Sequence, residues 1–196
     1  MMLALDVESG GIGEDKTLLE VFMAALSKDF NIVDELHIRV KPDDGVYHVT
    51  AQGLEVNKID IVEHDKTAIT YKEAGTKIYN FLNSNFNNDI LNPKREKFIP
   101  AGHGVAFDCR FLKKTVISEG SWDKYVSYRS LCTSSVARFL MVCGKLPELS
   151  GSLGSLVEYF QIPRVGELHE AKTDVLMSIE VLKRLISICQ GGYSRD

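Results

Sequence analysis

The run from Met1 to Val7 is apolar except for Asp6, and it closes on two carboxylates one residue apart, Asp6-Val7-Glu8, before Ser9-Gly10-Gly11. A short apolar run stopped by a glycine turn reads as a strand, and in a strand residues two apart project from one face. Asp6 and Glu8 therefore point together from the strand's end. Two adjacent anions repel, so such a pair sits best around a cation, and hard carboxylate oxygens suit Mg²⁺ or Mn²⁺. Alone, the pair fits equally well a strand with one solvated face.

At 196 residues, 44% hydrophobic and 26% charged, the chain can bury the core of one domain, expected over 1–190 with a flexible tail at 191–196. The formal net charge of −4 argues against a strongly basic nucleic-acid coat protein, while leaving room for a local basic patch around an acidic, metal-filled site. The four cysteines, Cys109, Cys132, Cys143 and Cys189, form no C-x-x-C pair and sit among apolar residues. Buried reduced thiols are expected of them, rather than zinc ligands or disulfides. The start lacks a basic n-region and meets acids too early for a signal peptide. No apolar run reaches membrane-spanning length. A cytoplasmic protein without a membrane partner is expected, and monomer and homodimer both stay open.

Leu18 to Leu26 is nearly continuous apolar sequence, by itself ambiguous between a buried strand and a short helix. The next segment decides between them. Lys28-Asp29 reads as a turn, and Ile32, Leu36, Ile38 and Val40 alternate well enough for a strand stopped by Pro42 and Asp43-Asp44-Gly45. The first three segments thus form an antiparallel meander. Residues 46–69 have no clean period and read as a long loop, with room for a short strand or a helical turn. Thr70-Tyr71-Lys72-Glu73 is a capping-box pattern opening a helix with Ala74, Ile78, Phe81 and Leu82 inward. Residues 83–97 read as a surface connection, 98–101 as a short buried strand and 125–128 as another. A helix over 130–143 uses Val136, Leu140 and Cys143, and Ser152 caps a shorter one, with Leu153, Leu156, Val157 and Phe160 inward, that ends before Pro163.

Two further segments carry chemistry. After the Gly102-His103-Gly104 turn, Phe107, Phe111 and Leu112 share one helical stripe, and Asp108 falls in the first turn. The helix dipole favours a carboxylate there, and a second metal-binding carboxylate is the other reading. In the last helix Val175, Ile179, Leu182, Leu185, Ile186 and Cys189 keep helical spacing behind Asp174. His169 stands five residues before Asp174, and the two meet only if His169 lies in the loop before the helix. A loop histidine beside a carboxylate suits a proton carrier next to a metal ligand. It also fits an exposed histidine and a dipole-complementing Asp.

Together, Asp6-x-Glu8, Gly102-His103-x-x-x-Phe107-Asp108 and His169-x-Ala171-x-x-Asp174 resemble, in that order, the DEDDh (DnaQ-like) 3′-to-5′ exonucleases. The resemblance spans residues 6 to 174. It implies an α/β, ribonuclease H-like fold: a mixed five-stranded sheet, three strands antiparallel and the others parallel, flanked by helices. Glu170 stands where the tyrosine-using branch has its tyrosine, so His169 assigns the histidine branch. Carried over, Asp6, Glu8, Asp108 and Asp174 resemble the four metal carboxylates and His169 the general base. The chain departs where the family commonly has His-Asn, here His103-Gly104, and where threonine is common, here Ser9. Neither position is a metal ligand, so both departures bear on substrate contacts.

The resemblance implies two divalent ions, Mg²⁺ or Mn²⁺, and hydrolysis of a single-stranded 3′ end to nucleoside 5′-monophosphates. Two ions roughly 3.5 to 4 Å apart can activate water and stabilise the leaving oxygen, and a free imidazole titrates near ~6.5, suited to taking the water's proton. Asp6 would bridge both ions. Ser9, Gly10 and Phe107 are expected at the terminal nucleotide, glycine permitting close approach. His48, Thr50 and Leu54 are candidates for shaping the groove. Arg110, Lys113 and Lys114 fall at spacings that suit phosphate tracking or a solvated face. DNA is favoured, in a proofreading or repair role with a polymerase or other replication protein as a possible docking partner. RNA end-trimming, a non-catalytic nucleic-acid-binding module and an endonuclease of the wider class are the alternatives.

Overall fold

Every residue of Leu18–Leu26 is buried, as it must be in a strand covered on both faces of a sheet. A computed structural model describes the chain except residues 14, 164, 165, 167, 168 and 193–196, so most of the expected tail lies outside the described residues. The strands are β1 (Met2–Ser9), β2 (Leu18–Leu26), β3 (Ile32–Lys41), β4 (Ile69–Thr70), β5 (Ile99–Gly102) and β6 (Leu131–Cys132), in the spatial order β4-β3-β2-β1-β5-β6. The meander β1-β2-β3 is antiparallel, β5 and β6 extend it in parallel beside β1, and β4 pairs in parallel with β3. The expected sheet is therefore present with six strands instead of five. Strands β4 and β6 have two residues each, too few for any periodic signal in sequence, and β6 lies where the helix over 130–143 was expected to begin.

Helices cover both faces. On one, Val21, Met23 and Ala25 meet Ile78, Phe81 and Leu82 of α3 (Tyr71–Phe86) and Phe111 and Leu112 of α4 (Val105–Thr115). On the other, Phe22, Ala24 and Leu26 meet Ala171, Val175 and Ile179 of α8 (Ala171–Cys189). Outside α8, α6 (Thr133–Val142) and α7 (Leu153–Tyr159) pack Ala137, Leu140, Leu156 and Val157 on Val181 and Leu185. The Thr70 capping box is formed in full: its side chain accepts from the Glu73 N–H, and the Glu73 carboxylate accepts from the Thr70 N–H.

Three expectations are corrected. Residues 46–69 are not one loop, for they hold α1 (Ala51–Asn57), capped by Thr50, and α2 (Ile61–Thr67), capped by Asp60. Each has a single buried residue, Asn57 or His64, and both are polar, so neither helix writes an apolar period. The strand expected over 125–128 is the end of α5 (Glu119–Tyr125), which buries Trp122 and Tyr125 three apart, followed by one bridge from Val126 to Phe98. All four cysteines are free, but none is fully buried: Cys109 and Cys132 are half-buried, and Cys143 and Cys189, at the ends of α6 and α8, are exposed. No helix among the described residues is long and apolar enough to cross a membrane.

Replacing Thr70 with Ala removes one acceptor from the α3 N-terminus and is expected to lower the unfolding free energy by about 0.5–2 kcal/mol, read by chemical denaturation.

Candidate active site

β1 lies between β2 and β5, and its last residues reach the sheet edge where α4 and α8 begin. Asp6 pairs across to Phe22 and Glu8 to Glu20, and both carboxylates project to the face that α8 covers. There the first turn of α8 brings Asp174, and carboxylate oxygens of Asp6, Glu8 and Asp174 lie within 4.8 Å of one another. Between Glu8 and Ser9 the β1–β2 register shifts, because Glu8 faces Glu20 while Ser9 faces Leu18. Such a bulge ends regular pairing and re-aims the backbone beyond it.

Asp108 arrives from the opposite helix layer. Strand β5 runs tightly beside β1, since a Cβ on Gly102 would stand 2.7 Å from the Leu5 carbonyl, and Gly104 at φ 84° turns the chain into α4. Asp108 is then buried in the first turn of α4. Its Oδ2 has no hydrogen-bond partner among the described residues. A buried carboxylate oxygen left unpaired is costly, and a cation would satisfy it.

The electrostatics agree. Burial, then the charges of Asp108, Glu8, Asp174 and Glu20, raise Asp6 well above the ordinary carboxylate range. Burial, then Asp174, Glu20 and Asp108, push Glu8 up to about 8. Burial pushes Asp108 up to about 8 as well, against backbone hydrogen bonds that pull it down. Carboxylates that resist ionising together are a site short of positive charge. Asp6, Glu8 and Asp174 offer carboxylate oxygens close enough together to hold a divalent metal, and the charge of Asp108 is felt by Asp6 beside them.

Around them lie two cavities. One of about 430 Å³ joins Asp6, Asp174 and His169 with His103, Val157 and Met177. His169 is exposed, at φ 62°, a left-handed conformation that few non-glycine residues adopt. It stands just outside α8, before the N-cap Glu170, and lines the same cavity as Asp174. The other cavity, also about 430 Å³, joins Glu8, Ser9, Gly11, Lys16, Thr50, Gly53 and Phe107. Thr50 lines it, while His48 and Leu54 do not. Phe107 is also a wall of a smaller hollow of about 170 Å³ with Arg110, Phe111 and Lys114. Lys113 instead pairs with Glu119 at 3.2 Å. Gly10 is buried: its N–H donates to the Thr17 carbonyl and its carbonyl accepts from the Thr50 N–H, both at 2.8 Å.

Sequence reasoning missed what holds that loop. The Asn57 side chain donates to the Ser9 carbonyl at 2.9 Å. Gly53 packs α1 against the loop so closely that a Cβ there would meet the Gly10 carbonyl oxygen at 2.4 Å. The signal was a capping threonine, Thr50, three residues before a glycine. His103, read as part of a turn and of the middle motif, contacts Thr133 Oγ1 through its Nδ1 at 2.8 Å and shares the cavity of Asp6.

No family model matches the chain, and no curated protein matches it. Solved structures do. Escherichia coli exonuclease I in complex with a dT13 oligonucleotide superposes with a TM-score of 0.77 at 16% identity, over 97% of this chain and 41% of that one. The chain shares the fold of that structure. The zinc-ion-bound form of the E. coli exonuclease I complex with single-stranded DNA gives 0.76 at 18% identity, and the ExoI/SSB-Ct complex 0.72 at 18%, each over 97% of this chain and 41% of the other. The chain thus spans about two fifths of the length of these structures.

Two outcomes are expected. Gly53→Ala forces α1 away from Gly10 and should lower the melting temperature and disturb binding in the adjoining cavity, read by thermal melts and ligand titration. The second concerns pH. Glu8 and Asp108 keep their protons to about 8 in the folded chain, while unfolded carboxylates ionise near ~4. Their contribution to stability is full below the unfolded value, falls as pH rises through that window and levels off above the folded value. Metal-free protein should therefore melt lower at about pH 8 than at about pH 5 on their account, and Mg²⁺ or Mn²⁺ should raise the melting temperature more at the higher pH.

Proposed function

We propose that this chain is a metal-dependent 3′-to-5′ exonuclease that hydrolyses single-stranded nucleic acid, DNA in preference, to nucleoside 5′-monophosphates. The observation that carries this reading is the convergence of four carboxylates from three elements, Asp6 and Glu8 of β1, Asp108 of α4 and Asp174 of α8, with Asp108 Oδ2 buried and unpartnered. His169 lines the cavity that contains Asp6 and Asp174.

In this reading Asp6, Glu8, Asp108 and Asp174 hold two divalent ions, Mg²⁺ or Mn²⁺, which when bound supply an acidified water and neutralise charge on the phosphodiester. His169 accepts the proton of the attacking water, and its exposed loop position lets it pass that proton to solvent. The cavity beside Ser9 and Gly11 takes the terminal nucleotide. Asn57 and Gly53 hold the backbone there in place. Phe107, between that cavity and the hollow of Arg110 and Lys114, separates the terminal nucleotide from the one before it, and the two cations meet the preceding phosphates. The preference for DNA is supported by the fold neighbours that carry dT13 and other single-stranded DNA.

The test is a time course on matched 5′-labelled single-stranded DNA and RNA with Mg²⁺, Mn²⁺ or EDTA. DNA should shorten one nucleotide at a time from the 3′ end, faster than RNA, and EDTA should stop it. Asp6→Ala should reduce hydrolysis to background, and His169→Asn should slow it by about 10²–10⁴-fold with metal binding retained. Wild-type rates in Asp6→Ala would overturn the reading, and binding without hydrolysis of either polymer would favour a non-catalytic module.

A further inference from the structure

A second group of metal-ligating side chains stands beside the first. The cross-strand rows at this end of the sheet are Asp6–Phe22–His37 and Glu8–Glu20–Arg39, all on the face that α8 covers. Glu20 and His37 are in direct contact through His37 Nε2 and Glu20 Oε1. Glu170, the residue that precedes α8, comes down on the same pair. One ligand atom from each of the three lies within 4.8 Å of the others.

Three features separate this group from an ordinary solvated cluster of acids. One donor is an imidazole nitrogen. The Glu20 side chain is only 7% exposed, although it faces another carboxylate in Glu170. Among the described residues no lysine or arginine forms an ion pair with Glu20 or Glu170, since Lys172 goes to Glu35 and Arg39 pairs with no carboxylate. Glu20 and Glu170 also line a cavity of about 440 Å³ with Arg39, Lys58 and His169. That cavity leaves an open side for a further ligand.

We propose that Glu20, His37 and Glu170 form an accessory site for a zinc-class divalent ion, distinct from the Asp6, Glu8, Asp108 and Asp174 site, and that its occupancy fixes the turn carrying His169. One imidazole and two carboxylates with an open fourth position match the three-ligand zinc pattern, and imidazole disfavours Mg²⁺. Donors around a tetrahedral ion with bonds of about 2.0–2.2 Å stand about 3.3–3.6 Å apart, so an ion would part the direct His37–Glu20 contact and draw Glu170 in from within 4.8 Å. Glu170 is the link to function. Its carboxylate accepts from Thr173 Oγ1 at 3.0 Å and its carbonyl accepts from the Asp174 N–H at 3.0 Å, so an ion that pins Glu170 pins the start of α8 and its neighbour His169. The site itself stands without the exonuclease reading, and only its effect on His169 rests on it.

The test titrates ZnCl₂ by calorimetry into the full chain carrying Asp6→Asn and Glu8→Gln, which disables the first site. One equivalent of zinc should bind, Mg²⁺ should not displace it, and adding His37→Gln or Glu170→Gln should weaken it by more than about tenfold, the scale on which even outer-shell partners of a metal matter. Glu170 is only half-buried, so Glu170→Gln should keep the fold, checked by its melting curve in EDTA. Absence of zinc binding in the first variant, or affinity unchanged by both further substitutions, would overturn the site. If the chain hydrolyses single strands, micromolar zinc should change that rate in the wild type and leave His37→Gln unaffected. An equal zinc response in both would overturn the coupling to His169 alone. Failure of hydrolysis altogether would leave the calorimetric result standing.

Discussion

Like-charge repulsion at the end of β1 is the constraint to which the rest of the structure responds. Asp6 and Glu8 are held where burial and the charges of Asp108, Asp174 and Glu20 oppose ionisation, and burial does the same to Asp108. Such an arrangement cannot be carried by a flexible loop, because a mobile chain would simply move its charges apart. It is held by an interior strand, between β2 and β5, with buried apolar residues on the strand before it. Two helices begin at this edge, and each places a carboxylate in its first turn, where the peptide dipoles offset part of the repulsion.

The carboxylate row does not end with Glu8. Glu20, one strand over, adds to the charge that raises both Asp6 and Glu8, and it is in contact with His37 on the next strand. The same face of the sheet thus passes from an all-oxygen donor set to one with an imidazole in it. The N-terminus of α8 spans both, through Asp174 on one side and Glu170 on the other. Any movement of that helix start is felt by both groups and by His169, which directly precedes Glu170 in the chain.

The loop after β1 is shaped by what packs behind it. Gly10 is tied on one side to Thr17 and on the other to Thr50, Asn57 holds Ser9, and Gly53 lets α1 come into backbone contact. These are polar and steric devices with no apolar pattern. They convert a glycine-rich turn, which would otherwise be loose, into a defined cavity wall next to Glu8.

Sequence by itself determined the parts with long or repeated patterns: the β1-β2-β3 meander, the capped helix α3, the stripe of α8 and the placement of Asp6, Glu8, Asp108 and Asp174 at the ends of elements. Hydrophobic periodicity and capping chemistry are local, so they can be read before anything is packed. Tertiary structure alone decided the rest. β4 and β6 are two-residue strands that exist only because a neighbouring strand is there to pair with. α1 and α2 bury Asn57 and His64, whose burial is tolerable only through partners distant in sequence, Ser9 and Val40. The contact of Glu20 with His37 and Glu170 joins residues from β2, β3 and the start of α8, and no spacing along the chain announces it, because it arises from strand register and from where α8 lands on the sheet.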